Sequence, residues 1–325
     1  MASRSNFGLL RRRTVLSCGL GLSVVATAGI GSAQSLRSNP DQRPWVVTTI
    51  NILADLAEKV AGDAVQVQSI VPLGSDPHTF EPTPGVARML ARAQLVLRNG
   101  LGLEGWLDRL VGTGSEARPV VTVTDGLVAQ HVRDSHGAPM PDPHLWLDPV
   151  HALGYVTAIE SALVARFPAH ARQFHANAHG LAKEIRNLDA EARATISQLP
   201  VAHRKLVTTH DAFRYFADRY GLTLVGSIWG ISTETEPSAH EVARMVKAIR
   251  RERVPVVFAE STLSPRLMQR IAADAGVRMG DPLYGDSLGA PGSGAETYMG
   301  MMRSNLRALR RGLGHVDPAV TSRGG

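Results

Sequence analysis

Residues 169–199, AHARQFHANAHGLAKEIRNLDAEARATISQL, decide the architecture. The stretch is rich in Ala, Leu, Glu, Gln, Lys and Arg, the residues that cost least in a helix, and it is free of glycine and proline after Gly180. It reads as one long helix with Gly180 as its weakest point. Shorter segments alternate on both sides. Upstream, 46–50, 65–71, 95–98 and 120–123 are strand-like, while 54–61, 85–93, 104–111 and 149–167 are helix-like. Residues 126–143 read as a polar loop. Downstream, strands are expected at 205–208, 223–226, 254–259 and 277–280, and helices at 212–220, 265–275 and 297–312. Ser238 opens another helix, with Glu241 three residues on as its capping-box partner. Alternation of this kind predicts an α/β protein with mostly parallel sheets. The economical arrangement is a βα lobe over 34–167, a linking helix over 168–199 and a second βα lobe over 200–325. The tail from His315 is expected to fray.

A chain of 325 residues is comfortable for two cores, and 44% hydrophobic with 20% charged residues marks ordinary globular composition. The start differs. Arg4, Arg11, Arg12 and Arg13 precede an apolar run over 14–30 that exits through Gly31-Ser32-Ala33. This pattern predicts a signal peptide over 1–33, cleaved near Ala33, and a periplasmic protein. The run is too short and too rich in Gly, Ala and Ser for a membrane span. Arg12-Arg13 leaves both the general and the twin-arginine export routes open. Removing these four arginines takes the formal charge from +6 to about +2, and no Lys/Arg stripe remains to serve a nucleic acid. The single cysteine, Cys18, lies inside the leader, which excludes disulfides and thiolate metal sites from the mature chain.

The chemistry is concentrated in a near-repeat. Asp76-Pro77-His78-Thr79-Phe80-Glu81-Pro82 matches Asp142-Pro143-His144-Leu145-Trp146-Leu147-Asp148-Pro149 in its Asp-Pro-His start, its aromatic two residues on, and its acid and proline. Proline fixes φ before each histidine and restricts the aspartate before it, so each imidazole is presented from a stiff loop. The neighbouring acids are available to accept from the ring N–H. His210 stands where an apolar strand gives way to a helix, the position at which open α/β sheets hold ligands. Asp211 is placed to cap that helix. Asp286 lies in a glycine-flanked loop after the last strand, with Asp281 as its competitor. His175 and His179, four apart on the long helix, read as a solvated face.

The order His78, His144, His210, Asp286, with these flanks, resembles the cluster A-I solute-binding proteins, the zinc and manganese receptors of ABC importers. The match also runs through Asn99-Gly100, Glu104 and Trp106, His210-Asp211-Ala212-Phe213, Gly230-Ile231-Ser232 and Phe258-Ala259-Glu260. The resemblance implies two lobes joined by a long rigid helix, with the metal in the interlobe cleft held by His78, His144, His210 and Asp286. It also implies a monomer that delivers its ion to a membrane permease. Three imidazoles and a carboxylate suit Zn2+, whereas an oxygen-richer set would suit Mn2+. Many zinc receptors of this kind carry a His-rich loop before the second ligand. Here only His131 and His136 stand there, as candidates for metal capture, so Mn2+ stays open. The rival of another class is a zinc hydrolase, for which Glu260 would be the base. With Asp286 closing the ligand shell, no position is left for water, and the expectation is a receptor that is not an enzyme.

Overall fold

The computed structural model describes residues 43–111, 119–133 and 138–314. The leader expected over 1–33 with its expected cleavage point, Asp134, His136 and the tail from His315 lie outside them. In the N-terminal half, β1 (Trp45–Thr48), α1 (Asn51–Ala61), β2 (Gln66–Ser69), α2 (Pro84–Arg92), β3 (Leu95–Arg98), α3 (Asp108–Val111) and β4 (Val120–Thr122) alternate as expected. A hairpin of β5 (His131–Arg133) and β6 (Pro139–Pro141) follows, then α4 (Pro149–Arg166) and the long α5 (Ala171–Ser197). The C-terminal half runs β7 (Lys205–Thr208), α6 (Arg214–Tyr220), β8 (Thr223–Ser227), α7 (Ala239–Glu252), β9 (Val256–Val257), α8 (Arg266–Ala275), β10 (Arg278–Met279) and α9 (Tyr298–Gly314).

The first sheet is parallel throughout, in the order β2-β1-β3-β4. In the second half β7 pairs with β8, and β9 with β10, again in parallel. The Phe258 amide donates to the Val207 carbonyl at 3.0 Å, setting β9 beside β7. The strands of the second half thus repeat the order of the first. In such sheets ligands collect beyond the carboxyl ends of the strands.

Helix α5 buries Phe174, Ala178, Leu181, Ile185, Leu188, Ala192 and Ile196, a stripe at the helical period. It leans on α1 and α4 from one half and on α6 and α9 from the other. One hydrophobic cluster therefore runs from Val46 through α5 to Leu313. Gly180 does not break the helix. A Cβ there would meet open space, so its cost of about 1 kcal/mol relative to Ala is borne by the buried stripe on the opposite face.

Three expectations are corrected. The helix expected at 104–111 shrinks to Asp108–Val111, because Glu104 turns inward and the chain around it makes tight turns instead. Leu101, at φ 56°, is part of that departure. The polar loop 126–143 contains the β5–β6 hairpin, with His131 opposite Pro141. Asp211 does not cap α6, which starts from Phe213; Asp211 pairs with Arg214 instead. Ser238 caps α7 in a full capping box, as its spacing with Glu241 predicts. Among the described residues no helix is long and apolar enough to cross a membrane.

Candidate metal centre

Four side chains from four separate loops converge beyond the strand ends. His78 lies between β2 and α2, His144 between β6 and α4, His210 two residues past β7, and Asp286 between β10 and α9. Nε2 of His144 is 3.3 Å from Nε2 of His78 and 3.3 Å from Nε2 of His210. Asp286 Oδ2 is 3.0 Å from His210 Nε2 and 3.5 Å from His78 Nε2, and Oδ1 is 3.5 Å from His144 Nε2. One donor atom from each residue lies within 4.8 Å of all the others. Bonds of about 2.0–2.1 Å to a tetrahedral ion would set ligand atoms about 3.3 Å apart. His144 and His210 are completely buried, Asp286 is 1% exposed and His78 9%. Both oxygens of Asp286 are buried without a hydrogen-bond partner. A carboxylate buried against three imidazoles, none in good hydrogen-bond geometry with it, is costly to keep ionised, so the space it faces suits a cation.

The surroundings hold these groups in place. Asp142 Oδ1 accepts from the His144 amide at 3.0 Å and lies 2.8 Å from Nδ1 of the same ring, turning Nε2 toward the centre. Glu260 does the equivalent for His210. Its Oε1 accepts from the His210 amide at 2.8 Å, and its Oε2 is 2.7 Å from Nδ1, off the axis of a good hydrogen bond. Asp76 accepts from the His78 amide, at 2.9 Å, but does not reach the ring. The segment after β3 secures both Asp-Pro-His loops. Trp106 Nε1 donates to the Pro77 carbonyl and Asn99 Nδ2 to the Pro143 carbonyl, each at 3.1 Å. Glu104 holds that segment by accepting from Thr49 Oγ1, the Asn99 amide and the Gly100 amide.

A protein-family model, zinc-uptake complex component A, periplasmic, matches residues 46–312. The chain belongs to this family. Its members are substrate-binding proteins of ABC importers, working with a membrane permease and its ATPase, and they are not enzymes. This chain is accordingly a metal-binding receptor of that transport type. It is 35% identical over 286 residues, 88% of its length and 94% of the relative's, to the manganese-binding lipoprotein MntA of Halalkalibacterium halodurans. It is 32% identical over 314 residues, 97% of its length and all of the relative's, to the iron-binding protein YfeA of Yersinia pestis. Among solved structures, the periplasmic zinc-binding protein TroA of Treponema pallidum aligns with a TM-score of 0.79 at 30% identity, over 84% of this chain and all of that one.

The electrostatics fit a family of cation receptors. Burial works against charging His210, but Asp286 and Glu260 together outweigh it and raise its pKa well above the usual imidazole range. Burial likewise works against ionising Asp286, and His210 and His144 outweigh it, holding its pKa well below the usual carboxylate range. Ion and proton thus compete for one pocket.

Several sequence expectations find their place here. Asp281 is exposed and pairs with Arg311 at 2.7 Å, leaving Asp286 as the inward acid of its loop. Of the acids that close the near-repeat, Asp148 caps α4 through the Val150 amide and Glu81 is exposed, so neither backs a ligand ring. His175 pairs with Glu160 on the surface, and His131 is exposed on β5. Glu260, weighed as the base of a hydrolase, stands behind the Nδ1 edge of His210, away from the Nε2 atoms that face the centre. The sequence reading missed Glu260 as an anchor and gave Thr233 no role. The only signal for Glu260 was an acid one residue past an apolar strand in a family-like motif.

Proposed function

We propose that this chain is an exported zinc receptor whose ion is held by His78, His144, His210 and Asp286 and handed to the permease of an ABC importer. Neutral imidazoles and one ionised carboxylate form the ligand set, which is the donor chemistry Zn2+ favours. The observation that supports this reading best is the buried pair of unpartnered Asp286 oxygens facing three Nε2 atoms spaced near a tetrahedral edge. The leader over 1–33 supplies the route to the periplasm, where two βα lobes, 34–167 and 200–325, would close on the ion across the helix at 168–199.

Manganese is the second reading, and a specific feature favours it. Asp286 turns both oxygens inward, with Oδ2 near His210 and His78 and Oδ1 near His144, so it can bind through both and raise the oxygen count. Relatives named for manganese and iron add weight. The test is metal analysis of protein purified without chelators, followed by competition titration of zinc against manganese. Zinc recovered with the purified protein supports the zinc receptor and recovered manganese the second reading, because Zn2+ outbinds Mn2+ at almost any nitrogen–oxygen site and titration alone would rank it first. Binding of neither metal sinks both readings.

A further inference from the structure

Of the four ligand side chains, only His78 borders the cavity of about 450 Å3 that lies beside the centre, with Phe80, Trp106, Pro143, Ile231 and Ser232 among its walls. His78 is also the least tightly backed. Among the described residues, carboxylates stand against Nδ1 of His144 and of His210, whereas none lies within ion-pair reach of Nδ1 of His78. An ion that enters or leaves by the cavity must pass His78.

Two irregular loops face each other there: 70–83 between β2 and α2, which carries His78, and 228–238 between β8 and α7. The start of the second loop is anchored within its own half, with the Ile228 and Trp229 amides donating to the Thr209 carbonyl. Further along, residues 234–236 are exposed and Thr233 is buried. Thr233 Oγ1 donates to Asp76 Oδ2 across 157 residues of chain, and Asp76 Oδ1 accepts from the His78 amide. Among the described residues this is the side-chain hydrogen bond that ties 231–237 to the N-terminal half. A hydroxyl on one loop therefore clasps the carboxylate that positions the outermost ligand.

We propose that Thr233 is a positioning residue that sets the rate of metal exchange, by holding Asp76 and with it His78 across the cavity. The inference rests on the metal-receptor reading above. The clasp must open for passage in either direction, so removing it speeds capture and release together and leaves the equilibrium nearly unchanged. An ordinary stabilising contact would instead weaken binding through release alone.

The experiment is stopped-flow kinetics of zinc binding and of zinc transfer to a chromophoric chelator, on the whole protein. Thr233→Val keeps the shape and removes the donor, and Thr233→Ser keeps the donor. Losing a hydrogen bond to a charged acceptor predicts release and association both faster by about tenfold in Thr233→Val, with Kd shifted by less than about threefold. Thr233→Ser should behave as wild type, and Thr233→Ala should repeat the acceleration if valine is not accommodated. Wild-type rates in both the valine and the alanine variant overturn the clasp, as does a weaker Kd with unchanged association. Either result leaves the receptor reading standing. A wild-type protein that binds neither zinc nor manganese overturns the receptor reading, and the clasp with it.

Discussion

The two Asp-Pro-His loops begin with the same three residues and end up as different devices. In the second, Asp142 is fully buried and grips both the amide and the ring of His144. In the first, Asp76 is partly exposed, grips only the amide of His78, and turns its other oxygen to Thr233. His144 sits at the middle of the cluster, 3.3 Å from both other imidazoles, while His78 sits at its open edge. One tripeptide thus yields an imidazole gripped at ring and amide where the core surrounds it, and one gripped at the amide alone where a cavity borders it. Stiffness of the local backbone, supplied by the proline in both, is not enough to distinguish them.

The largest expected effect comes from removing the ligands themselves. Zinc binding of about 10–16 kcal/mol shared by four ligands assigns each about 2.5–4 kcal/mol, or about two to three orders of magnitude in Kd. His144→Ala should lie at or beyond the top of that range, and it should also lower the melting temperature of the metal-free protein, because Asp142 is left buried with one partner fewer. His78→Ala should lose affinity with a smaller change in metal-free stability, since no carboxylate stands behind its Nδ1 edge and Asp286, 3.5 Å from its Nε2, keeps the nearer His210. Titration calorimetry and thermal denaturation of both variants check this. Equal destabilisation of the two metal-free proteins would erase the contrast between the loops.

The anchoring carboxylates come next. Loss of a hydrogen-bonded carboxylate behind a metal-bound imidazole costs about 10–100-fold in affinity. Asp142→Asn and Glu260→Gln should both fall in this window. Gly285→Ala should mimic Glu260→Gln, because a Cβ at 285 would come within 2.5 Å of Glu260 Oε2 and push it from His210. Asp76→Asn should cost much less in Kd, its ring partner being absent. Competition titration of the four variants would show whether ring contacts or amide contacts matter. If Asp76→Asn weakens zinc as much as Asp142→Asn, the amide contact is the one that counts.

Acidity sharpens the same contrast at the third ligand. In the metal-free protein the pKa of His210 is raised by Asp286 and Glu260 against burial. Its contribution to stability is therefore complete below about pH 6.5, its unfolded value, and is lost as pH rises through the raised folded value. Metal must displace that proton, so affinity moves the opposite way and falls as pH falls. The rise in melting temperature on adding zinc should grow between about pH 6 and pH 8. Scanning calorimetry with and without zinc reads both trends, and a shift that stays flat or shrinks over that range would remove proton competition from the account.

Much of this was legible in the chain before any coordinates. Alternating segments gave the order of strands and helices, because period and composition are local properties. The paired Asp-Pro-His loops marked two of the four converging side chains without help from any relative. What stayed hidden was non-local. The segment 104–111 has the composition of a helix, yet Glu104 is taken inward by Thr49, Asn99 and Gly100, partners that composition does not name. Glu260 and Thr233 follow the same rule. Their roles depend on His210 and Asp76, 50 and 157 residues away.

The smallest expected effect concerns two acids that the sequence could not rank. Asp281 and Asp286 share one loop and both follow strand β10 within a few residues, with glycine before each. Asp281 faces out and meets Arg311, with both side chains more than half exposed. An exposed ion pair of this sort contributes about 0–1 kcal/mol, and salt screens it further. Asp281→Asn should therefore leave zinc affinity within about twofold of wild type and shift the melting temperature little. Asp286→Asn, by contrast, removes the only carboxylate among the four converging side chains and should abolish tight binding. Titrating the pair side by side makes the loop its own control. A large loss of affinity in Asp281→Asn would mean that this carboxylate reaches the ion when it is bound, and the assignment of the fourth ligand would have to move five residues back along the loop.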